Sequence, residues 1–386
     1  MKNIKLLNKI ASVGTDIFDR NTYNVGTDIE NPDAIMVRSA DMLSMEFDGN
    51  LKAIARAGAG VNNIPVDRCA EKGIVVFNTP GANANGVKEL TIAAMLLAAR
   101  DIVGGIEWVN SNKDDPDIAK SVEKNKSKFA GTELAGKTLG VIGLGAIGGM
   151  VATAATHLGM NVIGCDPFLS VDAAWSLSRS VVKAANYDEI YEKSDYITVH
   201  IPATSENKGM FNAETFAKMK DGVRIINLSR DALVNPADLK KAIADKKIAA
   251  YVTDFPTPDI VGSEKVICIP HLGASTEESE DNCAVMAAKE LVEFLQNGNI
   301  KNSVNYPNVS MPHSGDKRIC VMHRNIPNII TSLSGVLGSE NINIENMISR
   351  SKGDYAYSIF EITGQLPDSA VERLKAIDDI IRVNVY

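Results

Sequence analysis

The sequence predicts an α/β protein with two doubly wound parallel sheets and a small C-terminal ferredoxin-like domain. Short apolar runs alternate with helical stretches over most of the chain, and a glycine-rich turn follows one of these runs. Residues 317–386 change to a βαββαβ order, which is typical of a ferredoxin-like unit. The chain has 386 residues, enough for two or three such domains.

The composition is that of an ordinary soluble globular protein. Apolar residues make up 45% of the chain and charged residues 23%, and no apolar run is long enough to span a bilayer. The net charge is −8 without a Lys/Arg block, which argues against nucleic acid or a membrane as partner. The N-terminus lacks a signal-peptide pattern, and the five cysteines are far apart. We therefore expect a cytoplasmic protein with reduced cysteines and no metal site.

The first 90 residues or so contain apolar runs that end at small or polar residues. "DAIMVRSA", "LKAIARAG" and "GIVVFNTP" have the pattern of buried parallel strands. "VKELTIAAMLLAARDIVGGIEWV" predicts one long helix, apolar enough for burial at a domain or subunit interface. The polar, Lys-rich segment "NSNKDDPDIAKSVEKNKSKFAGTELAGK" predicts a solvated connector.

A dinucleotide-binding pattern follows this connector. "TLGVIGLGAIGGMVATAATHLGMNVIGCDP" predicts a strand, a glycine-rich turn, a helix and a second strand. Gly143 permits the tight turn, Gly145 lets a pyrophosphate approach the backbone, and Gly148 lets the helix pack on the strand. The N–H groups at the helix start, which includes Ala146 and Ile147, are expected to hold phosphate.

Asp166 ends the second strand of this unit. A carboxylate at this place accepts hydrogen bonds from the ribose hydroxyls and repels the extra phosphate of NADP, so NAD is the predicted cofactor. The alternative is that Asp166 only caps a turn before Pro167.

Polar residues stand at the ends of four further apolar runs. They are His200 with Pro202, Ser229 with Arg230, Asp254, and His271. Because sheets of this type bind ligands at the carboxyl ends of their strands, these side chains should lie near one another. An Arg can bind a carboxylate with two hydrogen bonds, and a His can take a hydroxyl proton while hydride leaves for a nicotinamide. The pattern therefore suits a 2-hydroxy acid substrate.

The stretches "GLGAIG", "NLSRDALV" and "PHLGAST" together resemble the D-isomer-specific 2-hydroxyacid dehydrogenases, and the C-terminal unit resembles an ACT domain. With "VRSA", "AGAGVNN" and "PGANANGVKEL", the resemblance covers nearly the whole chain. It implies a Rossmann-like substrate-binding domain of residues 1–90 and 275–310 and a Rossmann-like NAD-binding domain of residues 91–274. It also implies an ACT regulatory domain of residues 317–386 and a homodimer or homotetramer.

The resemblance assigns roles to individual residues. Arg230 would bind the substrate carboxylate, and His271 would be the acid/base. The residues expected along the cofactor, besides those of the glycine-rich turn and Asp166, are His200, Ile201, Pro202, Ser229, Asp254, His271 and Gly273. Those expected around the substrate, besides Arg230, are Arg38, Ser39, Gly60, Asn62 and Asn85. Arg38 ends a strand and is the candidate for binding a phosphate, the alternative being a plain surface residue.

The acid that orients His271 has two candidates. In the family it is usually a Glu in an acidic, proline-containing turn, which here is "PTPDIVG" with Asp259 as its carboxylate. Asp259 is assigned this role, although its side chain is one methylene shorter than Glu. Glu264 in "GSEK" is the second candidate, in what has the composition of a solvated turn. Asp254 stands where the family usually keeps an Asp near the nicotinamide amide.

The ACT resemblance implies an effector site for L-serine. The matching residues are His323, Asn325 and Asn343, which in serine-binding members grip the ligand across a subunit interface. Asn328 replaces the usual glycine after the proline, and a residue with a side chain disfavours positive φ there. The alternative is a domain that serves only oligomer assembly.

The implied reaction is the NAD-dependent oxidation of 3-phosphoglycerate to 3-phosphohydroxypyruvate, the first step of L-serine biosynthesis. One alternative is a reductase of an unphosphorylated 2-keto acid such as hydroxypyruvate or glyoxylate, for which Arg38 would not be needed. Another, from a different class, is a non-catalytic NAD-sensing protein. A sensor would not need Arg230, an acid and His271 together.

Overall fold

The computed structural model describes residues 1–386, and the chain forms two compact units. One unit comprises residues 1–83 and 277–386, and the other comprises residues 84–276. None of the helices combines the length and the apolar character that crossing a membrane requires.

The elements alternate as the apolar pattern predicts. The strands are β1 Lys2–Leu6, β2 Tyr23–Gly26, β3 Ala34–Val37, β4 Ala53–Arg56, β5 Val75–Phe77, β6 Thr138–Ile142, β7 Asn161–Cys165, β8 Val181–Lys183, β9 Tyr196–Val199, β10 Val223–Asn227, β11 Ile248–Thr253, β12 Val266–Cys268, β13 Lys317–Arg324, β14 Asn343–Lys352, β15 Tyr355–Thr363 and β16 Ile380–Val385. The α-helices are α1 Ser12–Thr15, α2 Val66–Glu71, α3 Ala84–Ala99, α4 Ile102–Ser111, α5 Ile118–Asn125, α6 Ala146–His157, α7 Val171–Ser176, α8 Tyr187–Lys193, α9 Ala213–Lys218, α10 Pro236–Ala244, α11 Glu277–Asn297, α12 Ile329–Ser339 and α13 Asp368–Lys375. Two 3₁₀ turns cover Lys126–Phe129 and Asp231–Leu233.

The first unit contains a five-stranded parallel sheet in the order β2-β1-β3-β4-β5. Every residue of β3 and β5 is buried, as expected for strands covered on both faces. Helix α11 follows the second unit along the chain and packs on this sheet of the first unit. Its buried residues Leu291 and Phe294 share a hydrophobic cluster with Phe77 of β5.

The second unit contains a seven-stranded parallel sheet in the order β12-β11-β10-β9-β6-β7-β8. The strand order reverses between β6 and β9, because the chain builds outward from β6 in both directions. Ligands of such sheets bind at the carboxyl ends of the strands beside this reversal. The predicted glycine-rich turn and His200 directly follow these two strands.

The C-terminal segment forms a four-stranded antiparallel sheet in the order β14-β15-β13-β16, with α12 and α13 in the chain order βαββαβ. The predicted α/β class with a ferredoxin-like end is therefore confirmed. This sheet belongs to the first unit. Arg382 of β16 donates to the carbonyl oxygens of Gly49, Leu51 and Gly73 at 2.7, 2.5 and 3.3 Å, and Tyr357 donates to Gly298 at 2.6 Å.

Two expectations for residues 87–137 were wrong. The long predicted helix is two helices, α3 and α4, because the chain turns at Arg100 and Asp101 accepts a hydrogen bond from the Gly104 N–H at 3.1 Å. The predicted solvated connector contains α5 and a 3₁₀ turn, whose Phe129 packs on Trp108 of α4 at 6.1 Å between ring centroids. A few apolar residues among lysines suffice to dock this short helix.

Candidate active site

The glycine-rich turn connects β6 to α6 and has the geometry that close packing requires. Gly143 has a φ of +86°, and a Cβ there would lie 2.6 Å from the His200 carbonyl oxygen. A Cβ at Gly148 would lie 1.9 Å from the Gly143 carbonyl oxygen. A Cβ at Gly145 would meet no protein atom within 4 Å. The backbone therefore closes the turn at Gly143 and Gly148 and leaves open space at Gly145, where a pyrophosphate fits.

Asp166 lies beside this turn and is held by backbone donors. Its Oδ2 accepts from the Leu144 N–H and its Oδ1 from the Phe168 N–H, both at 2.9 Å. Asp166 therefore caps the turn at Pro167, and it also lies beside the glycine-rich turn. Each carboxylate oxygen retains a lone pair for a further donor, such as a ribose hydroxyl.

Arg230 follows β10 in a loop that one buried asparagine organises. Asn227 accepts from the backbone N–H groups of Ser229 and Arg230 at 3.1 and 3.3 Å and donates to the Arg230 carbonyl at 2.8 Å. It also donates to the Tyr251 hydroxyl at 3.1 Å, and it is fully buried. Sequence reasoning missed Asn227, although a polar residue ending the apolar run "IIN" was a usable signal. The Arg230 side chain is exposed, and its Nη1 donates to the Ser229 carbonyl at 2.5 Å.

Asp254 is the carboxylate that interacts electrostatically with His271. It directly follows β11, is 1% exposed, and accepts from the backbone N–H of Gly273 and from its own N–H. Burial raises the pKa of Asp254, and the charge of His271, these N–H donors and the charge of Arg230 oppose that rise. Its Oδ1 is buried without a hydrogen-bond partner. The structure thus brings Asp254, His271 and Arg230 together at the carboxyl ends of neighbouring strands.

The two carboxylates proposed from the sequence lie elsewhere on the same loop. Asp259 is exposed and makes no side-chain hydrogen bond or ion pair, and it lines a cavity of about 430 Å³ together with Lys208 and Asp231. Glu264 is also exposed. The composition of the turn could not give these positions, because a turn between two strands leaves open which of its side chains faces inward.

Phe255 contacts both His271 and Arg230. The Phe255 ring lies 4.5 Å from the His271 ring between centroids, tilted by 48°, and the Arg230 guanidinium carbon lies 5.5 Å from the Phe255 centroid.

His200 belongs to the lining of the nucleotide turn. Its Nε2 lies 2.9 Å from the Thr198 hydroxyl, while its Nδ1 is buried without a partner. Burial lowers the pKa of His200 to about 4, so the imidazole is neutral near pH 7. Next to it, Ile201 contributes a methyl 2.7 Å from the position of a Cβ at Gly143, and the Ser229 hydroxyl donates to the Val199 carbonyl at 2.6 Å.

Most of the predicted substrate residues belong to the first unit. Arg38 forms an ion pair with Glu280 at 2.6 Å, with about two-fifths of each side chain exposed. The backbone N–H groups of Arg38, Ser39 and Ala40 all donate to the Asn8 side-chain oxygen at 3.0 Å. Asn8 therefore shapes this loop, and it was missed because a single Asn after the strand "KNIKLL" carries no motif.

Three other predicted substrate residues are also accessible. Gly60 is half-buried and Asn62 is exposed, both in the loop after β4. Asn85 belongs to the second unit, at the start of α3, where it donates to Glu89 at 2.9 Å and accepts from Lys88 at 2.7 Å.

The predicted effector residues occupy both ends of the C-terminal sheet. His323 is buried, with its Nδ1 2.8 Å from the Arg324 carbonyl and its Nε2 2.9 Å from the Ser358 hydroxyl. The register pairs His323 with Ala356, and Ala356 with Ser351, so Asn343 lies about 26 Å further along β14. Asn325 is tied to the Gly353 carbonyl at 3.1 Å. A site that includes all three residues would need two chains.

Asn328 adopts the left-handed conformation that the glycine usual at this position favours. Its φ is +65° at the start of α12, and asparagine is among the residues that tolerate this region. The substitution therefore preserves the local backbone.

Comparison with known proteins identifies the family. Residues 92–273 match the model of the D-isomer specific 2-hydroxyacid dehydrogenase NAD binding domain. D-3-phosphoglycerate dehydrogenase 2 of Saccharomyces cerevisiae is 30% identical over 401 residues, covering 94% of this chain and 82% of the relative. The chain belongs to the D-isomer-specific 2-hydroxyacid dehydrogenase family. The predicted resemblance and the predicted NAD cofactor are confirmed by this match.

Other members of this dehydrogenase family are longer. D-3-phosphoglycerate dehydrogenase of Archaeoglobus fulgidus is 39% identical over 290 residues, which cover 72% of this chain and 52% of the relative. That of Bacillus subtilis is 35% identical over 316 residues, 80% of this chain and 58% of the relative. The chain thus spans little more than half the length of these curated relatives.

Solved structures of this dehydrogenase family share the fold. The NAD⁺-bound 3-phosphoglycerate dehydrogenase of Entamoeba histolytica has a TM-score of 0.60 at 26% identity, covering 79% of this chain and 98% of that one. D-mandelate dehydrogenase of Rhodotorula graminis has a TM-score of 0.66 at 21% identity, covering 81% and 99%. At the latter identity the likeness concerns the fold alone.

Proposed function

We propose that the protein catalyses the NAD-dependent oxidation of 3-phosphoglycerate to 3-phosphohydroxypyruvate, the first step of L-serine biosynthesis. The observation that carries this proposal is the convergence of Arg230, Asp254 and His271 at the strand ends beside the nucleotide turn. The names of the long relatives support the phosphorylated substrate. Residues 1–90 with 275–310 would bind the substrate, residues 91–274 the NAD, and residues 317–386 would form an ACT regulatory domain.

The residues of the nucleotide turn fit NAD. The open space at Gly145 would receive the pyrophosphate at the N-terminus of α6, and Asp166 would accept from the ribose hydroxyls. When bound, NAD supplies the hydride acceptor. The neutral His200 adds no charge beside the glycine-rich turn.

The chain's own groups would position the substrate and move its proton. Arg230 would bind the substrate carboxylate through paired hydrogen bonds. His271 would take the proton from the substrate hydroxyl, and the buried carboxylate of Asp254 would stabilise the imidazolium that forms. Asp259 remains the alternative partner from the sequence. Asp254 has the stronger support because it interacts with both His271 and Arg230.

The substrate phosphate needs a cation, and Arg38 is the candidate. Its ion pair with Glu280 neutralises it, so binding a phosphate would require Arg38 to exchange one anion for another. The same ion pair is the observation that favours the runner-up, a reductase of hydroxypyruvate or glyoxylate, since such a substrate needs no phosphate-binding cation. A non-catalytic NAD sensor is disfavoured because it would not need the three converging groups.

The decisive experiment measures NADH formation with 3-phosphoglycerate at mildly alkaline pH and compares Arg38→Ala with the parent. We expect turnover that is lost on His271→Ala and that falls mainly through a raised KM on Arg38→Ala. Turnover only with hydroxypyruvate or glyoxylate plus NADH, unaffected by Arg38→Ala, would establish the runner-up instead. NAD binding without turnover on any of these acids would favour the sensor.

We also propose three properties of the whole protein. L-Serine would bind the C-terminal domain across two chains through His323, Asn325 and Asn343, which the separation of these residues within one chain supports. The apolar surface of α4 supports a homodimer or homotetramer. The five unpaired cysteines suit a reducing compartment such as the cytoplasm.

A further inference from the structure

One aromatic side chain contacts both functional groups of the proposed reaction. Phe255 lies between the loop after β10, which carries Arg230, and the segment after β12, which carries His271. Its ring centroid is 4.5 Å from that of the imidazole and 5.5 Å from the guanidinium carbon. These distances are within the range of aromatic pairing and cation–π attraction.

A hydrogen bond to the last residue of β11 holds the backbone of Phe255. This residue follows Asp254 directly after β11, and its backbone N–H donates to the hydroxyl of the fully buried Thr253 at 3.1 Å. The ring is half-buried and also lines the 430 Å³ cavity that contains Lys208 and Asp259. Phe255 is therefore not a filler of the core, and a smaller apolar side chain would leave the fold in place.

Besides Phe255, the Arg230 side chain has one hydrogen bond, to the carbonyl of the preceding residue, and the attraction of the Asp254 charge. It is exposed and forms no ion pair. A long cation held so loosely would sample many rotamers before it met a carboxylate. The face of the Phe255 ring restricts these rotamers and places the guanidinium on the same ring that His271 contacts.

We propose that Phe255 is a positioning residue that holds the Arg230 guanidinium and the His271 imidazole in the mutual arrangement needed to bind a 2-hydroxy acid and remove its hydroxyl proton. This role rests on the proposed function.

The test compares Phe255→Leu, Phe255→Tyr and the matched control Phe211→Leu. Phe211 is a buried phenylalanine of the same unit, and its ring packs on Tyr191 at 6.1 Å between centroids. We expect Phe255→Leu to lower kcat/KM about tenfold, with a raised KM and a lowered kcat. NADH binding should be unchanged.

The two other variants separate positioning from general stability. Phe255→Tyr keeps the ring and should restore kcat/KM to within about threefold of the parent. Phe211→Leu should lower the melting temperature without changing kcat/KM. A Phe255→Leu enzyme with parental kcat/KM would overturn the proposal, and so would a Phe255→Tyr enzyme as impaired as the leucine variant.

A substrate-free measurement distinguishes failure of this inference from failure of the proposed function. The chemical shifts of the His271 imidazole protons, measured by NMR with NAD bound, require no turnover. If the parent is inactive on 3-phosphoglycerate, the reaction proposal falls, and these chemical shifts still report whether the ring packs on His271. Changed imidazole shifts in Phe255→Leu support the contact, and identical shifts in both proteins refute it.

Discussion

At the scale of the residue, the buried Asp254 and the exposed Asp259 give opposite expectations for the partner of His271. Asp254→Asn removes the charge without changing the shape, so the imidazolium loses its stabilising carboxylate and kcat should fall about a hundredfold. Asp259→Asn should change kcat by less than about twofold, since its carboxylate makes no hydrogen bond or ion pair. Steady-state kinetics with 3-phosphoglycerate and NAD decides between them, and the reverse ranking would return the role to Asp259.

The same residues show what a sequence can and cannot specify. Arg230, His271 and Asp254 were expected at strand ends, and the strand pattern alone suffices to place them there. The choice of the carboxylate that partners His271 depends on burial, which turn composition does not encode. Asn8 accepts hydrogen bonds from a loop 30 residues further along the chain, and such a partner depends on the folded path of the chain. Asn227 instead organises the loop that directly follows it.

At the scale of the element, the turn from β6 to α6 offers two glycines whose substitution should have different effects. In Gly148→Ala the new methyl would lie 1.9 Å from the Gly143 carbonyl, so the turn must open, and both the melting temperature and NADH affinity should fall. In Gly145→Ala the methyl meets no protein atom, so the melting temperature should stay within about 1 °C of the parent. NADH affinity should nevertheless drop about tenfold, because the methyl occupies the approach of the pyrophosphate.

Thermal melts and NADH fluorescence titrations measure both effects. Equal melting temperatures for Gly148→Ala and the parent would show that the turn can open at little cost. Unchanged NADH affinity in Gly145→Ala would place the pyrophosphate elsewhere.

Helix α11 contains a carboxyl that should make stability depend on pH. Glu290 is 7% exposed, its Oε1 accepts from the Asn302 amide at 2.7 Å, and its Oε2 is buried without a partner. Burial raises the pKa of Glu290 from the ordinary 4.5 to about 8. The folded state therefore keeps a proton that the unfolded chain releases above pH 4.5, so this contribution is complete in acid and is lost as the pH rises to about 8.

Glu290→Gln should remove this dependence. Its melting temperature should exceed that of the parent by about 5 °C at pH 8 and converge with it below about pH 5. Glu293→Gln on the same helix is the matched control, since Glu293 is exposed and bonded to Asn297 and Asn299. Parallel melting curves for Glu290→Gln and the parent from pH 5 to pH 8 would contradict the raised pKa.

Among the elements, the buried strands were the most predictable, because parallel strands covered on both faces are apolar throughout. The break between α3 and α4 was less predictable from the sequence. The apolar pattern runs unbroken through this region, and only the capping role of Asp101, three residues before Gly104, marks the new helix start. Asp101 was a usable sign of the helix start, but a capping residue predicts a break in a helix less reliably than a proline does.

At the scale of the whole molecule, the order of elements predicted three sheets, but it could not predict how the last one packs. The ferredoxin-like sheet joins the first sheet in one unit through a shared hydrophobic cluster that includes Met322, Tyr357 and Phe77. Arg382 anchors it to backbone carbonyls, which have no sequence signature. Docking by carbonyl contacts is therefore visible only in the folded chain.

The exposed apolar surface of α4 gives the last prediction, which concerns the proposed homo-oligomer. Ile106 and Val109 are 56% and 44% exposed, and they line a cavity of about 390 Å³ with Trp108 and Phe129. An apolar surface of this kind on one helix is typical of an interface, because exposing it to water costs free energy in a monomer.

Ile106→Asp places a charge in that surface and should lower the mass measured by light scattering to that of one chain at micromolar concentration. Val182→Asp, at an equally exposed apolar residue of the edge strand β8, is the control and should leave the mass unchanged. If both variants keep the parental mass, α4 is not the interface, and its apolar surface needs another partner.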